Sequence, residues 1–214
     1  MAENPVILVV DDNEIQRGMM KARLLKKEYE VIEASSGSDA LKIIDSSKID
    51  LVLLDLNMPG IDGHEVLDEV RKTFTSIQLP IIMVTAEEDP DTIISSFEKG
   101  ANDYILKQIS FKIALQRINT QLKLKVLAEE SAKSQKIEAI NAMIVTYNHE
   151  INNPLAIAYG NLGSDFSKFD ETKFNRTLQA LERIKDLVAK IQTLDASDVE
   201  YSSYTSKSKM LKIS

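Results

Sequence analysis

The sequence contains no cysteine among its 214 residues. Disulfide frameworks and thiolate chemistry are therefore excluded. Long apolar runs are also missing, because no stretch approaches the ~20 apolar residues that a membrane-spanning helix requires. The amino terminus has no basic segment before its short apolar run, so it does not have the pattern of a secretion signal. These absences predict a soluble, cytoplasmic protein.

Positive charge is in the minority. The chain has 26 Lys and Arg against 33 Asp and Glu, which gives a net charge of −7. An excess of negative charge opposes nonspecific contact with nucleic-acid phosphates, and the sequence has no recognition-helix or zinc-finger pattern. We expect neither a nucleic-acid nor a membrane partner. The hydrophobic fraction of 43% is sufficient for a true core.

Short apolar runs alternate with amphipathic stretches through roughly the first half of the chain. The runs predict strands at Val6–Val10, Tyr29–Ala34, Leu51–Leu54, Ile81–Val84 and Asp103–Leu106. The stretches between them predict helices at Glu14–Lys27, Ser38–Ser46, about His64–Phe74 and about Pro90–Lys99, and a fifth helix that begins near Ser110. Continuously apolar strands that alternate with helices predict an α/β fold with a parallel sheet covered on both faces.

Polar residues gather where these strands end. Asp11 and Asp12 follow the first strand, and Asp55, Thr85 and Lys107 follow the third, fourth and fifth. Ligands of such sheets bind at the carboxyl ends of the strands. Crowded carboxylates repel one another, so a bound cation explains them best, and oxygen ligands suit Mg²⁺. The lysine and the threonine hydroxyl are suited to hold phosphoryl oxygens.

The motifs VVDD, LVLLDLNMPGIDG, VTA and DYILK resemble the receiver domain of two-component response regulators. The resemblance implies a flavodoxin-like, doubly wound fold with five parallel strands. It implies that Asp55 is the nucleophile that accepts a phosphoryl group from a sensor histidine kinase. It also implies that Asp12 binds Mg²⁺ directly, Asp11 largely through water, and Asn57 through its backbone carbonyl.

The same resemblance assigns the remaining receiver residues. Thr85 and Lys107 would contact the phosphoryl group, and Tyr104 matches the switch aromatic of the family. One position departs from the family pattern, because Gln108 stands where a proline usually follows the lysine. His64 lies near the start of a predicted helix, and we expect it to be an exposed surface residue.

A second motif, HEINNPL, lies within the helical stretch Ala142–Leu162. Residues four apart share a helix face, so His149 and Asn153 should project the same way. The motif resembles the phospho-accepting histidine box of sensor histidine kinases, found in their dimerisation and histidine-phosphotransfer domain. The resemblance implies that His149 exchanges phosphoryl groups with a receiver aspartate. We expect Glu150 to hydrogen-bond the imidazole and fix its tautomer.

The apolar residues around this motif recur at the alternating three- and four-residue spacing of a bundle seam. They are Ile137, Ile140, Ile144, Tyr147 and Ile151. After a turn, a second helix begins near Asp170, and its predicted apolar face contains Phe174, Leu178, Leu181, Ile184, Val188, Ile191 and Leu194. Two helices alone bury too little surface, so we predict a helical hairpin that forms a four-helix bundle in a homodimer.

The domain boundaries follow from composition. No Gly or Pro occurs between Phe111 and Ala142, so the last receiver helix is predicted to run unbroken into the histidine-bearing helix. We expect a receiver domain at residues 1–124, a helical linker at 125–136, the histidine-phosphotransfer hairpin at 137–195 and a polar tail at 196–214. Because a straight helix would keep Asp55 from His149, a separate receiver is the expected partner of that histidine.

The predicted function is that of a phosphorelay protein, and two alternatives stay open. One is an aspartyl-phosphate phosphatase, because the Asn153 position is linked in the kinase family to orienting a water for receiver dephosphorylation. The other is a non-catalytic scaffold that regulates a kinase when its receiver is phosphorylated. The sequence has no G-x-x-x-x-G-K-[ST] loop and no kinase-type ATP-binding motif, so we do not expect it to phosphorylate itself from ATP.

Overall fold

The structure, a computed structural model, describes residues 4–86, 89–162 and 170–193. The chain divides between Ser131 and Ala132 into two compact units. This division falls inside the linker predicted at residues 125–136. The predicted turn between the two long helices and the predicted polar tail at 196–214 lie outside the described residues.

The first unit alternates strands and helices in the predicted order. The strands are β1 Val6–Val10, β2 Glu30–Ala34, β3 Leu51–Asp55, β4 Ile81–Thr85 and β5 Asp103–Leu106. The helices between them are α1 Glu14–Leu25, α2 Gly37–Ser46, α3 Gly63–Arg71 and α4 Pro90–Glu98, and α5 begins at Phe111. Every strand lies within one residue of its predicted limits.

The five strands form one parallel sheet in the order β2-β1-β3-β4-β5. The chain moves from β1 outward to β2 and then returns across β1 to β3, so the strand order reverses between β1 and β3. In open parallel sheets, ligands bind in the crevice at the carboxyl ends of the strands beside such a reversal. The residues that follow Val10 and Leu54 are therefore expected to form the ligand site.

Successive strand residues point to opposite faces of the sheet, so the apolar strands feed two cores. Leu8 and Leu54 belong to a core that includes Val66 of α3. Ile7 belongs to the other core, which includes Ile118 of α5. Both cores consist of side chains that are nearly or completely inaccessible to water, which explains why β1, β3 and β4 are almost entirely apolar. The edge strand β2 is less buried and includes Glu30 and Glu33.

Helix α3 differs most from its predicted limits. It starts at Gly63 because Asp62 caps it in a capping box with Glu65. It ends at Arg71, whose guanidinium donates hydrogen bonds to the carbonyls of Gly100 at 2.9 Å and Leu79 at 3.0 Å. These bonds hold the following segment in a folded loop, which a local helical pattern does not predict. Burial lowers the pKa of Arg71 to about 10, so the side chain remains charged at neutral pH.

Helix α5 runs without interruption from Phe111 to Leu162, as predicted, and it includes Pro154. Helix α6 spans Glu171–Thr193. The carboxylate of Asp170 accepts a hydrogen bond from the Lys173 backbone at 2.8 Å, which confirms the predicted helix start. Among the described residues, no helix combines the length and apolarity needed to cross a bilayer.

The second unit buries three alanines and Leu187, whereas most of the predicted seam residues are not buried. Ala139 and Ala158 on α5 are 3% and 4% exposed, and Ala180 on α6 is 6% exposed. The larger apolar residues remain accessible in the single chain, and exposures of 37–54% are found for Ile137, Ile140, Ile144, Phe174, Leu178, Leu181, Val188 and Ile191. Tyr147, Ile151 and Ile184 are half-buried, and Leu194 lies outside the described residues.

Candidate functional site

Three carboxylates meet at the carboxyl edge of the sheet. Asp11 directly follows β1, Asp12 comes next, and Asp55 is the last residue of β3. One oxygen of each carboxylate lies within 4.8 Å of the others. Asp11 is 6% exposed and Asp55 is 3% exposed, whereas Asp12 faces solvent. The site is therefore a buried acidic pair with a third carboxylate at its mouth.

Lys107 places its ammonium between the two buried carboxylates. Its Nζ lies 2.8 Å from Asp55 Oδ2 and 2.9 Å from Asp11 Oδ2. Its backbone N–H donates to the Thr85 carbonyl at 2.8 Å, so the end of β4 holds the residue that follows β5. The residues predicted from four strand ends are thus brought together, and Thr85 is fully buried beside them.

The electrostatics of the site disfavour an uncompensated Asp55 anion. Burial raises the pKa of Asp55 above its ordinary value of 3.8, the hydrogen bond from Lys107 opposes this, and the charge of Asp11 adds to the rise. Burial lowers the pKa of Lys107, but its hydrogen bonds with Asp55 and Asp11 outweigh burial and raise that pKa above 10.5. One ammonium stands against three carboxylates, so negative charge remains in excess.

The donor set fits a magnesium ion. Mg²⁺ prefers carboxylate and carbonyl oxygens and keeps several of its waters. Asp11, Asp12 and Asp55 supply carboxylate oxygens, and the exposed Asn57 follows Asp55 by two residues. Asp12 and Asn57 are exposed, so water can reach the site and complete the coordination of the ion. These are the residues for which a Mg²⁺ site was predicted.

Glycine at position 63 allows helix α3 to begin against this site. A Cβ on Gly63 would lie 2.4 Å from the backbone oxygen of Asp55 and 2.8 Å from the Cα of Leu56. No side chain fits that space, so only glycine permits this approach. Tyr104, predicted as the switch aromatic, is 8% exposed and belongs to the core on this face of the sheet.

Sequence reasoning missed two residues that brace the acidic pair. The backbone N–H of Asn13 donates to Asp11 Oδ1 at 2.9 Å, and Arg17 Nη1 donates to the Asp11 carbonyl at 2.8 Å. The side chain of Asn13 also caps α1. The sequence contained one signal for the role of Arg17. A cation near the amino terminus of a helix interacts unfavourably with the helix dipole, so its presence there indicates a nearby hydrogen-bond acceptor.

The prediction that His64 is an exposed surface residue is wrong. Its side chain is half-buried, and Nε2 lies 2.7 Å from Ser96 Oγ on α4. Ser96 Oγ also lies 3.0 Å from the Thr92 carbonyl, to which it can donate a hydrogen bond. His64 therefore joins α3 to α4 through this contact.

The second candidate site lies on α5 within the second unit. His149, Glu150 and Asn153 are all exposed, and Pro154 is buried. His149 and Asn153 are four residues apart on one uninterrupted helix, so they lie on the same face. The imidazole at position 149 is therefore accessible to solvent in the single chain.

The fold and the acidic site together define a receiver of two-component signalling. A family model described as the response regulator receiver domain matches residues 7–119, which is more than half of the 214 residues. The chain belongs to this family.

Known proteins agree with that assignment. The transcriptional regulatory protein AfsQ1 of Streptomyces coelicolor is 34% identical over 150 residues, 68% of this chain. The chain spans 64% of the length of that relative. A CheY-like receiver domain protein from Methanospirillum hungatei is 27% identical with a TM-score of 0.55, over 58% of this chain and 98% of the other. The response regulator TrrA from Thermotoga maritima, in complex with Mg²⁺ and BeF, is 36% identical with a TM-score of 0.50, over 55% of this chain and 98% of the other.

Proposed function

We propose that this chain is a phosphorelay protein. In this proposal Asp55 accepts a phosphoryl group from the phosphohistidine of a sensor kinase, and His149 exchanges phosphoryl groups with the aspartate of a separate receiver. The observation that carries the proposal is the buried Asp55 carboxylate, which contacts Lys107 at 2.8 Å inside an acidic cluster. The exposure of His149 supports the second step.

At the receiver site, Asp11, Asp12, Asp55 and the Asn57 carbonyl would hold Mg²⁺. The bound ion supplies positive charge to the phosphoryl oxygens during transfer. An Asp55 oxygen attacks the phosphorus of the donor, and a P–O bond forms as the P–N bond breaks. The electron pair of the broken bond returns to the ring nitrogen of the donor, which then takes up a proton.

The other receiver residues act on the phosphoryl group once it is transferred. Lys107 and the hydroxyl of Thr85 hold its oxygens through charge and hydrogen bonding. Tyr104 is the switch aromatic, whose position reports the state of Thr85. These roles rest on the family resemblance. The role of Thr85 is also supported by its burial at the end of β4, where its carbonyl accepts a hydrogen bond from the Lys107 backbone at 2.8 Å.

At the second site, a ring nitrogen of His149 attacks the phosphorus of a receiver aspartyl phosphate. The P–N bond forms as the P–O bond breaks, and the aspartate leaves as a carboxylate. Glu150 orients the imidazole and fixes its tautomer, so that the other nitrogen is the nucleophile. The exposure of both side chains supports access by a second protein.

The helical unit is proposed to be a homodimer that forms a four-helix bundle. Its apolar side chains are exposed at helical spacing on both helices, including Ile140 at 38%, Ile144 at 51% and Leu181 at 50%. A face of large apolar residues on an amphipathic helix is stable only when it is covered. A second copy of the same hairpin would cover it with the same kind of surface.

A second candidate function is dephosphorylation of a partner receiver. Asn153 is exposed one helical turn from His149, which would let its amide orient a water beside the bound aspartyl phosphate. A regulatory scaffold without either activity is the third possibility. The transcriptional role in the name of AfsQ1 belongs to that relative, and we carry over only the receiver chemistry.

The decisive experiment follows radiolabelled phosphate on three forms of the protein. Wild type, Asp55→Asn and His149→Ala are each incubated with Mg²⁺ and acetyl phosphate, and then with a phosphorylated partner receiver. Asp55→Asn should lose the base-labile phosphate, and His149→Ala should lose the phosphate that is acid-labile but stable in base. His64→Ala is the matched control, because the chain has only 2 histidines.

The outcomes separate the candidate functions. Acid-labile phosphate at His149 supports transfer. Loss of the partner's phosphate without any phosphohistidine supports the phosphatase. If neither result is observed, the regulatory scaffold is supported. Base-labile phosphate that persists in Asp55→Asn would show that the accepting aspartate has been assigned to the wrong residue.

A further inference from the structure

Arg17 lies in the first turns of α1 and points inward to the acidic site. Its side chain is only 14% exposed. Nη1 donates to the backbone carbonyl of Asp11 at 2.8 Å. On the same guanidinium, Nε lies 3.5 Å from Glu33 Oε1 on β2. Arg17 therefore connects the loop between β1 and α1 to the neighbouring strand.

An arginine at position 17 does not contribute favourably to the stability of α1. The amino-terminal end of a helix carries partial positive charge, so a cation there raises the free energy of the helix. Burying a guanidinium also costs free energy unless its donors are satisfied. Glu33 and the Asp11 carbonyl offset these costs, but a shorter neutral residue would not incur them.

The bonded carbonyl belongs to the peptide unit between Asp11 and Asp12. A peptide unit is planar, so fixing its oxygen fixes the directions in which both residues leave it. Asp11 is also held at its carboxylate, through the Asn13 backbone at 2.9 Å and Lys107 at 2.9 Å. Asp12 is exposed, so its orientation depends on the backbone that carries it.

We propose that Arg17 is a positioning residue for the divalent cation. By holding the peptide unit between Asp11 and Asp12, it sets the angle between their carboxylates, with Glu33 holding the guanidinium in place. This inference rests on the proposed function, because it assumes that the acidic cluster binds Mg²⁺. Outer groups that orient metal ligands commonly change affinity by about 10–100-fold when they are removed.

Positioning and charge predict opposite results when Arg17 is replaced. If Arg17 acted only through its positive charge, removing that charge would strengthen Mg²⁺ binding, because cations repel. If it positions the ligands, removing it weakens binding although the site becomes more negative. Arg17→Met keeps most of the apolar stem of the side chain and removes both the charge and the donors, so the sign of the change decides.

The test measures Mg²⁺ affinity of the full chain by titration calorimetry, without any phosphoryl donor. Arg17→Met is expected to bind Mg²⁺ at least about tenfold more weakly than wild type. Arg17→Lys keeps the charge but has no planar fork to reach both Asp11 and Glu33, so its affinity should be intermediate. Lys21→Met is the matched control, since Lys21 also pairs with Glu33 but donates to no part of Asp11.

Each outcome bears on a different claim. Equal or tighter binding in Arg17→Met, with wild type binding normally, overturns the inference and leaves the proposed function intact. Absence of Mg²⁺ binding by wild type overturns the metal site and this inference together. Circular dichroism checks that each variant is folded. If Arg17→Met does not fold, Arg17→Lys decides, because wild-type affinity in that variant overturns the positioning role.

Discussion

Replacing Lys107 with methionine should destabilise the receiver unit because it leaves two buried carboxylates facing each other. The Lys107 ammonium lies 2.8 Å from Asp55 and 2.9 Å from Asp11. The side chains of those two aspartates are only 4% and 9% exposed. Methionine has a similar length and no charge, so the substitution removes the ammonium and keeps most of the packing.

The expected loss follows from the burial of the partners. Removing one member of a buried ion pair typically costs about 3–5 kcal/mol, because the other charge remains unpaired. The side chain of Lys107 is 20% exposed, so water already weakens its pairing and the lower end applies. We expect a loss of about 3 kcal/mol near neutral pH. With a denaturant slope of about 2 kcal/mol/M, the urea midpoint should fall by about 1.5 M.

The sign of the pH dependence is fixed by the two pKa shifts. Burial raises the pKa of Asp55, so the Asp55 anion destabilises the folded state at pH values above that pKa. This destabilisation disappears as the pH falls toward 3.8, where the carboxyl is protonated in both the folded and the unfolded state. Burial lowers the pKa of Lys107, but its hydrogen bonds with Asp55 and Asp11 raise it overall, so its stabilisation persists until the pH exceeds 10.5. The difference between variant and wild type should therefore be largest at neutral pH and shrink in acid.

Urea unfolding at several pH values, with and without Mg²⁺, tests this reasoning. Mg²⁺ should stabilise Lys107→Met more than wild type, because binding to the folded state adds stability and the variant site is more negative. Lys72→Met is the control, since Lys72 pairs with Glu69 at the surface, where such pairs contribute about 0.2–1 kcal/mol. A pH-independent difference, or identical midpoints, would refute the claim that Lys107 relieves carboxylate repulsion.

Two further predictions concern packing and assembly. Gly63→Ala should destabilise the protein to urea by about 2 kcal/mol or more, because its Cβ would lie 2.4 Å from the Asp55 backbone oxygen. Gly18→Ala, with no atom within 4 Å, should instead stabilise α1 by about 0.5–1 kcal/mol. Ile144→Glu should convert the proposed dimer to monomer in sedimentation velocity, while Thr146→Glu, on the opposite face of α5, should leave it dimeric. A dimer that persists in Ile144→Glu would show that this face is not the interface.

The strands and the acidic edge were predictable because local sequence determines them. The strands β1, β3 and β4 are apolar runs with a polar residue at or just after their carboxyl ends, so their limits are visible without knowledge of their neighbours. Parallel strands place their carboxyl ends at one edge, and Asp11, Asp55 and Lys107 do meet there. Topology alone thus brought together residues that are far apart in the chain.

The bracing of the site was not predictable in the same way. The bond from Arg17 to the Asp11 carbonyl depends on where β2 places Glu33, which no local pattern specifies. The burial of His64 likewise depends on α4, whose Ser96 is 1% exposed. Such contacts join elements that are distant in sequence, so a helical or strand period contains no information about them.

The helical unit shows a different limit of sequence reasoning. The spacing of apolar residues defined an apolar face on each of α5 and α6. A helix in a bundle has more than one neighbour, however, and the spacing does not say which neighbour each residue contacts. In the single chain, Ala139, Ala158 and Ala180 are buried. Small side chains allow two helices to approach closely, whereas the larger Ile144 and Leu178 remain 51% and 47% exposed. A monomer that exposes many large apolar side chains at helical spacing leaves uncovered a surface whose burial would stabilise the fold, which is why we propose that a second copy of the chain covers it.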